Sequence, residues 1–334
     1  KVSVHGYGGW PLDEDFSKEY IDDVPSTPVW RGSDYLLFYG KGPVKWEYDS
    51  SSQTFVHTNN PYSLYGYYFV TDATPTNDMT SVAQASGATN RITTYDDYLV
   101  HEQELVSLAK SGRELYGEDF SGATPRTLST FSSIPGITNE DAKVTMSFVS
   151  KVTSGTGVAS LSINQSNVLD VSIRSNREEY VKALEGVSTA VWKGEKSEKN
   201  SVVVSYNSAS HNNVRLNYVR LHFKRTLQPY GAYTFFRSIA SIGNVSRFVV
   251  QGANANTLVF DVTDAQRVRL METELNGSEL TFSIPAGTLR EFVLVRTDQS
   301  FISPEVVGEV ENQNLHALEQ KDMIIIAAKA FQTQ

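Results

Sequence analysis

Apolar and polar positions alternate with period two along most of this chain, and clusters of Gly, Pro, Asn, Asp and Ser interrupt the alternation at short intervals. Alternation of that kind puts one set of side chains on a buried face and the other in solvent, which predicts half-buried strands. Tyr35-Leu-Leu-Phe-Tyr39 stops at Gly40-Lys-Gly42-Pro43. Val44-Lys-Trp46-Glu-Tyr48 and Thr54-Phe-Val-His57 then flank the polar tip Asp49-Ser-Ser-Ser52, which predicts a hairpin. Leu64-Tyr-Gly-Tyr-Tyr-Phe-Val70, dense in aromatics and followed by Thr74-Pro75, predicts a buried or half-buried strand. Residues 99–110 have two readings. Leu105, Leu108 and Ala109 share a helical face that Ser111-Gly112 would end, while Leu99 and Val100 equally finish a strand begun at Arg91.

A stretch rich in Ser, Thr, Gly and Pro from about Ser121 to Pro135 predicts a boundary. Alternating runs follow at 143–152, 158–163, 168–173, 201–206 and 214–223. In the last of these Val214, Leu216 and Tyr218 share one parity and Val219, Leu221 and Phe223 the other, which predicts a β-bulge or burial of both faces in turn. A third group covers 247–250, 257–262, 267–270, 280–284 and 291–295, with Asn276-Gly277 as a turn signal. The fold class expected is all-β, with two to three β-sandwich or jelly-roll-like domains. The boundaries read as an N-terminal β domain over 1–120, a jelly-roll-like sandwich over 121–228 and a small β domain over 229–311. Over 312–334 the character changes. Met323-Ile-Ile-Ile-Ala-Ala328 is a continuous apolar run, the pattern of a strand covered on both faces, either in a parallel α/β sheet or at the centre of a sandwich. The first option makes 312–334 the start of a truncated α/β domain, its strand covered by the rest of the chain or by a neighbouring molecule.

Composition narrows the function classes. Aromatics reach 11% of 334 residues, in keeping with strands. The 38 acidic against 29 basic side chains give a net charge of −9, which argues against a nucleic-acid surface. No cysteine is present, so disulfides, thiolate metal sites and a cysteine nucleophile are excluded within these residues. No apolar run reaches the ~18 residues of a transmembrane helix. The six histidines, at 5, 57, 101, 211, 222 and 316, show no i, i+4 metal spacing and read as structural or solvated. Gly6-Tyr-Gly8-Gly9 lacks the context of a phosphate loop. The acidic pairs Asp13/Asp15, Asp22-Asp23, Asp96-Asp97 and Glu102/Glu104 read as solvated loops, with calcium in a sandwich loop as the alternative. Aromatic residues offer another site: Trp10, Trp30, Trp46, Tyr65 and Tyr67 are candidates to stack on a sugar ring or on another protein, with core packing as the competing explanation. No catalytic residue, metal ligand or cofactor is predicted.

Several segments together resemble the N-terminal region of gingipain-type cysteine peptidases, and among these the sortases of the type IX secretion system of Bacteroidetes. They are Asp34-Tyr-Leu-Leu-Phe-Tyr-Gly-Lys-Gly-Pro43 with Trp46; Asn60-Pro-Tyr-Ser63 before Gly66-Tyr-Tyr-Phe69; Tyr98 and His101-Glu102 through Ser111-Gly-Arg-Glu114 to Gly117-Glu118 and Phe120; Leu216 to Leu221; Val259-Phe-Asp-Val-Thr263; and Asn312-Gln-Asn-Leu-His316 before Asp322-Met-Ile-Ile-Ile326. Leu115 and Phe260 depart from the aromatic and the Trp common in that family. The resemblance implies a caspase-like catalytic domain downstream of Gln334, carrying the Cys and His dyad, so no catalytic residue transfers to this chain. It also implies an exported, cell-surface or outer-membrane-associated parent that processes C-terminal sorting signals of cargo and joins the cargo to a surface glycan. The partners implied are the downstream peptidase domain, secretion-system or cargo proteins and a surface glycan. The alternative is a free-standing carbohydrate-binding or adhesion protein.

Overall fold

The alternating runs fold as strands. The computed structural model describes residues 2–15, 17–18, 23–72, 76–110, 112–311, 314, 317–327 and 329–331. Among these, helical structure is limited to short 3-10 turns such as Ser129–Phe131 and Ile239–Ser241. No helix there is long and apolar enough to cross a membrane. The molecule is all-β, as predicted. Ser111, Asp22, Thr74-Pro75, Asn312, Gln313, Leu315, His316, Ala328 and Gln334, which entered the sequence reading, lie outside the described residues.

Residues 1–299 form one compact unit. Its backbone is a nine-stranded sheet with the order Leu184–Trp192, Ala142–Lys151, Asn212–Thr226, Thr94–Glu102, Tyr233–Arg237, Glu291–Arg296, Thr257–Asp261, Arg269–Met271 and Ser81–Val82. Neighbours are antiparallel except the last pair. Two four-stranded sheets supply facing layers. Arg126–Thr127, Val202–Tyr206, Thr156–Ile163 and Ser166–Arg174 make one; Glu274–Asn276, Glu279–Ala286, Asn244–Val250 and Asn90–Ile92 make the other. Two cores result. Val144, Met146, Phe148 and Leu216 of the long sheet pack with Ala159, Leu161 and Val171 in the first. Phe236, Phe292 and Val259 pack with Phe248, Phe282 and Leu280 in the second, where the Phe248 and Phe282 rings stack at 4.9 Å. Each buried Phe, Leu or Val contributes roughly 1.5–3 kcal/mol by leaving water. These are β-sandwiches whose two cores share one sheet.

Local signals act as read. The hairpin forms from Val44–Asp49 and Thr54–Asn59, and Asp49 closes its tip by accepting bonds from Ser51 N, Ser51 Oγ and Ser52 Oγ. At the second hairpin Asn276 pairs with Glu279, and Gly277 takes a φ of 61°, a region that costs glycine little. The parity switch in Asn212–Thr226 is a bulge. Tyr218 pairs with Ser147 and Leu216 with Phe148, leaving Asn217 as the extra residue. Val214, Leu216, Val219, Leu221 and Phe223 are all buried as a consequence.

Three expectations are corrected. Residues 94–102 are strand, so the helical reading of 99–110 fails; Asp96, Asp97, His101 and Glu102 find ionic partners across the sheet, and that tertiary pairing outweighs a weak helical pattern. The aromatic run ending at Val70 forms the strand Tyr67–Thr71 at the edge of a three-stranded sheet with Ser3–Gly8 and Ser26–Thr27, and is exposed rather than buried. Tyr68 turns inward against Phe38, while Val70 stays 68% exposed. Gly6 is small because a Cβ there would collide with the Tyr68 ring, so its place in the glycine run is a packing requirement. In the separate unit 300–334, residues 323–327 form no strand, and Met323, Ile324, Ile325 and Ile326 are 76–94% exposed. An Ile-rich strand of this type holds only between paired neighbours and beneath covering layers, and the exposed Met323–Ile326 side chains have no such cover.

Candidate functional site

Two neighbouring strands of the long sheet barely meet. Thr94–Glu102 pairs along its whole length with Asn212–Thr226. Its other edge joins Tyr233–Arg237 at one position, Asp96 opposite Arg237. A cavity of about 390 Å³ opens at this seam. Opposite residues of an antiparallel pair share a face, so the register of Tyr233–Arg237 with Glu291–Arg296 sets Tyr233, Phe235, Arg237 and Glu291 on one side. Phe236 points the other way, into the second core. The loop that follows Leu36–Phe38 supplies Tyr39, Gly40 and Gly42 to the opposing wall, with the Tyr39 ring 5.9 Å from that of Phe235.

Arg237 sits at the centre of the seam with its side chain 2% exposed. Its Nε donates to Glu291 Oε2 at 2.7 Å and its Nη1 to the Asp96 carbonyl at 3.1 Å. Asp97 Oδ1 lies 3.6 Å away, and the guanidinium lies 4.3 Å from the Tyr98 ring centre. A buried guanidinium cannot shed its proton, so its desolvation must be offset by carboxylates and aromatic faces. Asp97 also accepts from Arg225 Nη1 at 2.8 Å, and that guanidinium lies 3.8 Å over Tyr230. The charges lining the cavity are therefore matched as Arg237 with Glu291 and Arg225 with Asp97.

Among the uncharged polar groups, Tyr230 Oη donates to the Thr226 carbonyl and Thr234 Oγ1 accepts from Tyr230 N, while two phenols are left unmatched. Burial pushes the Tyr39 hydroxyl up to about 12 and raises that of Tyr98 as well, so both phenols stay protonated at neutral pH. Neither hydroxyl has a protein hydrogen-bond partner among the described residues. Burial also pushes the Glu291 carboxyl up, with Arg237 opposing; only its Oε2 is occupied by a protein donor among those residues. Tyr233 and Phe235 are 41% and 38% exposed. The cavity thus presents hydroxyls, one carboxylate oxygen and aromatic surface. Hydroxyls beside exposed aromatic rings in a concave site suit the binding of a small ligand.

The aromatic candidates lie as follows. Trp46 stacks on Tyr98 at 4.0 Å, on the ring that Arg237 also covers, which ties the hairpin to the seam. Trp30 packs against Tyr35 and Phe260. Trp10 lies beneath Lys41 and Lys45, at 4.7 and 5.6 Å. Tyr65 and Tyr67 are 67% and 55% exposed. No ring contact among the described residues joins these five to one another. Asp96 and Asp97, read as a solvated loop, instead lie on a strand, Asp96 buried and Asp97 half-buried, each in an ion pair. His57, His101 and His222 pair with Glu102, Glu118 and Asp96. No group of three His, Cys, Asp or Glu among the described residues is placed to hold a metal ion. The seam residues Tyr39, Arg237 and Glu291 escaped the sequence reading. The one available signal was an arginine ending the apolar run Thr234-Phe-Phe236, at a position where alternation puts it beside Tyr233 and Phe235.

No family model matches the chain, and no curated protein matches it. Among solved structures, dimeric latent PorU from Porphyromonas gingivalis superposes with a TM-score of 0.87 at 29% identity, covering 95% of this chain and 31% of that one. The chain is similar to PorU. It spans about a third of the length of PorU, and the likeness covers 95% of this chain rather than one sandwich alone. A cycloisomaltooligosaccharide glucanotransferase from Paenibacillus sp. matches with a TM-score of 0.19 and 8% identity over 64% of this chain and 45% of that one, too poor a superposition to carry an argument beside PorU.

Proposed function

We propose that this chain is a non-catalytic accessory region of a PorU-like sorting protein of the type IX secretion pathway. The observation that carries the reading is the similarity to PorU over 95% of the chain at 29% identity. The sequence segments from Asp34 to Ile326 that resemble type IX sortases point the same way. On this reading the sandwiches hold and orient a cysteine peptidase domain that follows 312–334, at the cell surface or outer membrane. That domain would cleave C-terminal sorting signals from exported cargo, and the cargo, the secretion machinery and a surface glycan would be the partners of the whole protein.

The test has two parts. The purified chain should show no turnover of peptide substrates and no labelling by thiol-directed inhibitors, since it contains no cysteine; turnover that survives repurification and is lost on a point substitution in 1–334 would overturn the accessory role. In the bacterium that makes the protein, deletion of the gene should leave exported cargo with uncleaved C-terminal signals, read by mass spectrometry. Normal processing would overturn the sorting role.

A further inference from the structure

We infer that the seam cavity binds one neutral hexopyranose unit of a glycan. The inference rests on the cavity alone and not on the likeness to PorU. Three features select this ligand class. First, the charged side chains of the lining already satisfy one another, Arg237 with Glu291 at 2.7 Å and Arg225 with Asp97 at 2.8 Å. A charged ligand would be desolvated there without gaining a free counter-charge. Second, the groups left over are hydroxyls and a single carboxylate oxygen. Tyr39 and Tyr98 can each donate and accept, and Glu291 Oε1 can accept, which suits the adjacent hydroxyls of a sugar, each both donor and acceptor. Third, Tyr233 and Phe235 expose aromatic surface at 41% and 38% beside those groups. A pyranose has an apolar C–H face to lay on such rings and a polar rim to meet the phenols. At about 390 Å³ the cavity falls within the ~300–1,000 Å³ range of small-molecule sites.

The site is also preorganised. Arg237 is fixed by Glu291, the Asp96 carbonyl and the Tyr98 face, and Trp46 fixes the other contact of Tyr98 at 4.0 Å. The Tyr98 hydroxyl is therefore held in place before a ligand arrives, which lowers the ordering cost of binding.

The experiment is a titration of the purified chain by saturation-transfer NMR and calorimetry. Probes are the methyl glycosides of glucose, galactose, mannose and N-acetylglucosamine, with glucuronic acid, glucosamine and an N-acetyl-phenylalanyl amide as contrasts. We expect at least one neutral glycoside to bind with a Kd of about 1 mM or tighter, ahead of all three contrasts. Tyr39→Phe and Tyr98→Phe remove only an oxygen, and each should weaken binding about tenfold, the worth of one good hydrogen bond. Both variants should keep the parent's thermal melt, so a loss of affinity is not a loss of fold. Phe235→Ala should weaken binding similarly. Absence of binding by every neutral glycoside, equal or better binding of a contrast, or unchanged affinity in both Tyr variants would each overturn the assignment.

Discussion

Asp96 is 1% exposed and accepts three hydrogen bonds, from His222 Nε2 at 3.0 Å, Lys224 Nζ at 2.8 Å and Ile239 N at 2.7 Å. Burial alone would raise its pKa, but the His222 bond, the Lys224 charge and the backbone donor outweigh it and hold the carboxyl below 3.8. The sign of the linkage follows. A carboxylate whose folded pKa is depressed contributes stability that is present above the unfolded value, and that contribution is lost as pH falls below 3.8 through the folded pKa. Asp96→Asn keeps the volume but leaves Lys224 without its partner, a loss of about 3–5 kcal/mol for a broken buried pair. Thermal melts from pH 7 down to about 2.5 should show the variant well below the parent at neutral pH, with the gap closing in acid. A constant gap at every pH would show that the carboxylate charge is not what the site uses.

At the scale of elements, the bulge in Asn212–Thr226 decides which side chains are buried. Removing Asn217 would turn Val214 and Leu216, both at 0% exposure, to the opposite face. Two such side chains moved into water cost roughly 3–6 kcal/mol. Asn217→Ala keeps the bulge and loses only the bond from Nδ2 to Glu185 Oε1 at 3.3 Å, about 1 kcal/mol. Denaturant melts should therefore separate deletion from substitution by several kcal/mol, and equal effects would mean that the bulge does not set the register. This bulge was legible in the sequence because a parity switch is written in consecutive residues, and the Asp49 and Gly277 turns were legible for the same reason. The seam was not. Asp96 and Arg237 stand 141 positions apart, and an Asp pair in isolation has the same letters whether it faces water or buried arginines. The exposure of Tyr67–Thr71 was hidden likewise, since an aromatic run does not say whether a second layer covers it. Of the candidate site, Trp46 reaches the seam by stacking on Tyr98, and its ring is spent on packing there.

For the whole molecule, the question is whether two cores along one sheet unfold together. The seam suggests independence, because only the Asp96–Arg237 pair bonds the strands there. Three connections argue the opposite. Thr94–Glu102 is bonded over its full length to Asn212–Thr226, a strand of the first core, while its own Tyr95 is buried in the second at 0% exposure. Leu227, directly after Asn212–Thr226, is also buried in the second core. Over the seam lies the hairpin, with Phe55 at 2% exposure against Tyr98 and His222, so opening the seam would wet these rings as well as the charges of Arg237 and Asp97. Unfolding either core alone would expose these groups in the other as well, so the two are coupled. Residues 1–299 should therefore melt in one transition. Phe148→Ala in the first core and Phe282→Ala in the second should each cost about 3–5 kcal/mol. Each should also lower hydrogen-exchange protection in both Ala142–Lys151 and Glu279–Ala286 by a similar factor. If Phe282→Ala weakened protection only in Glu279–Ala286, the seam would be a domain boundary, and the cavity would lie between two bodies free to move rather than in a rigid one.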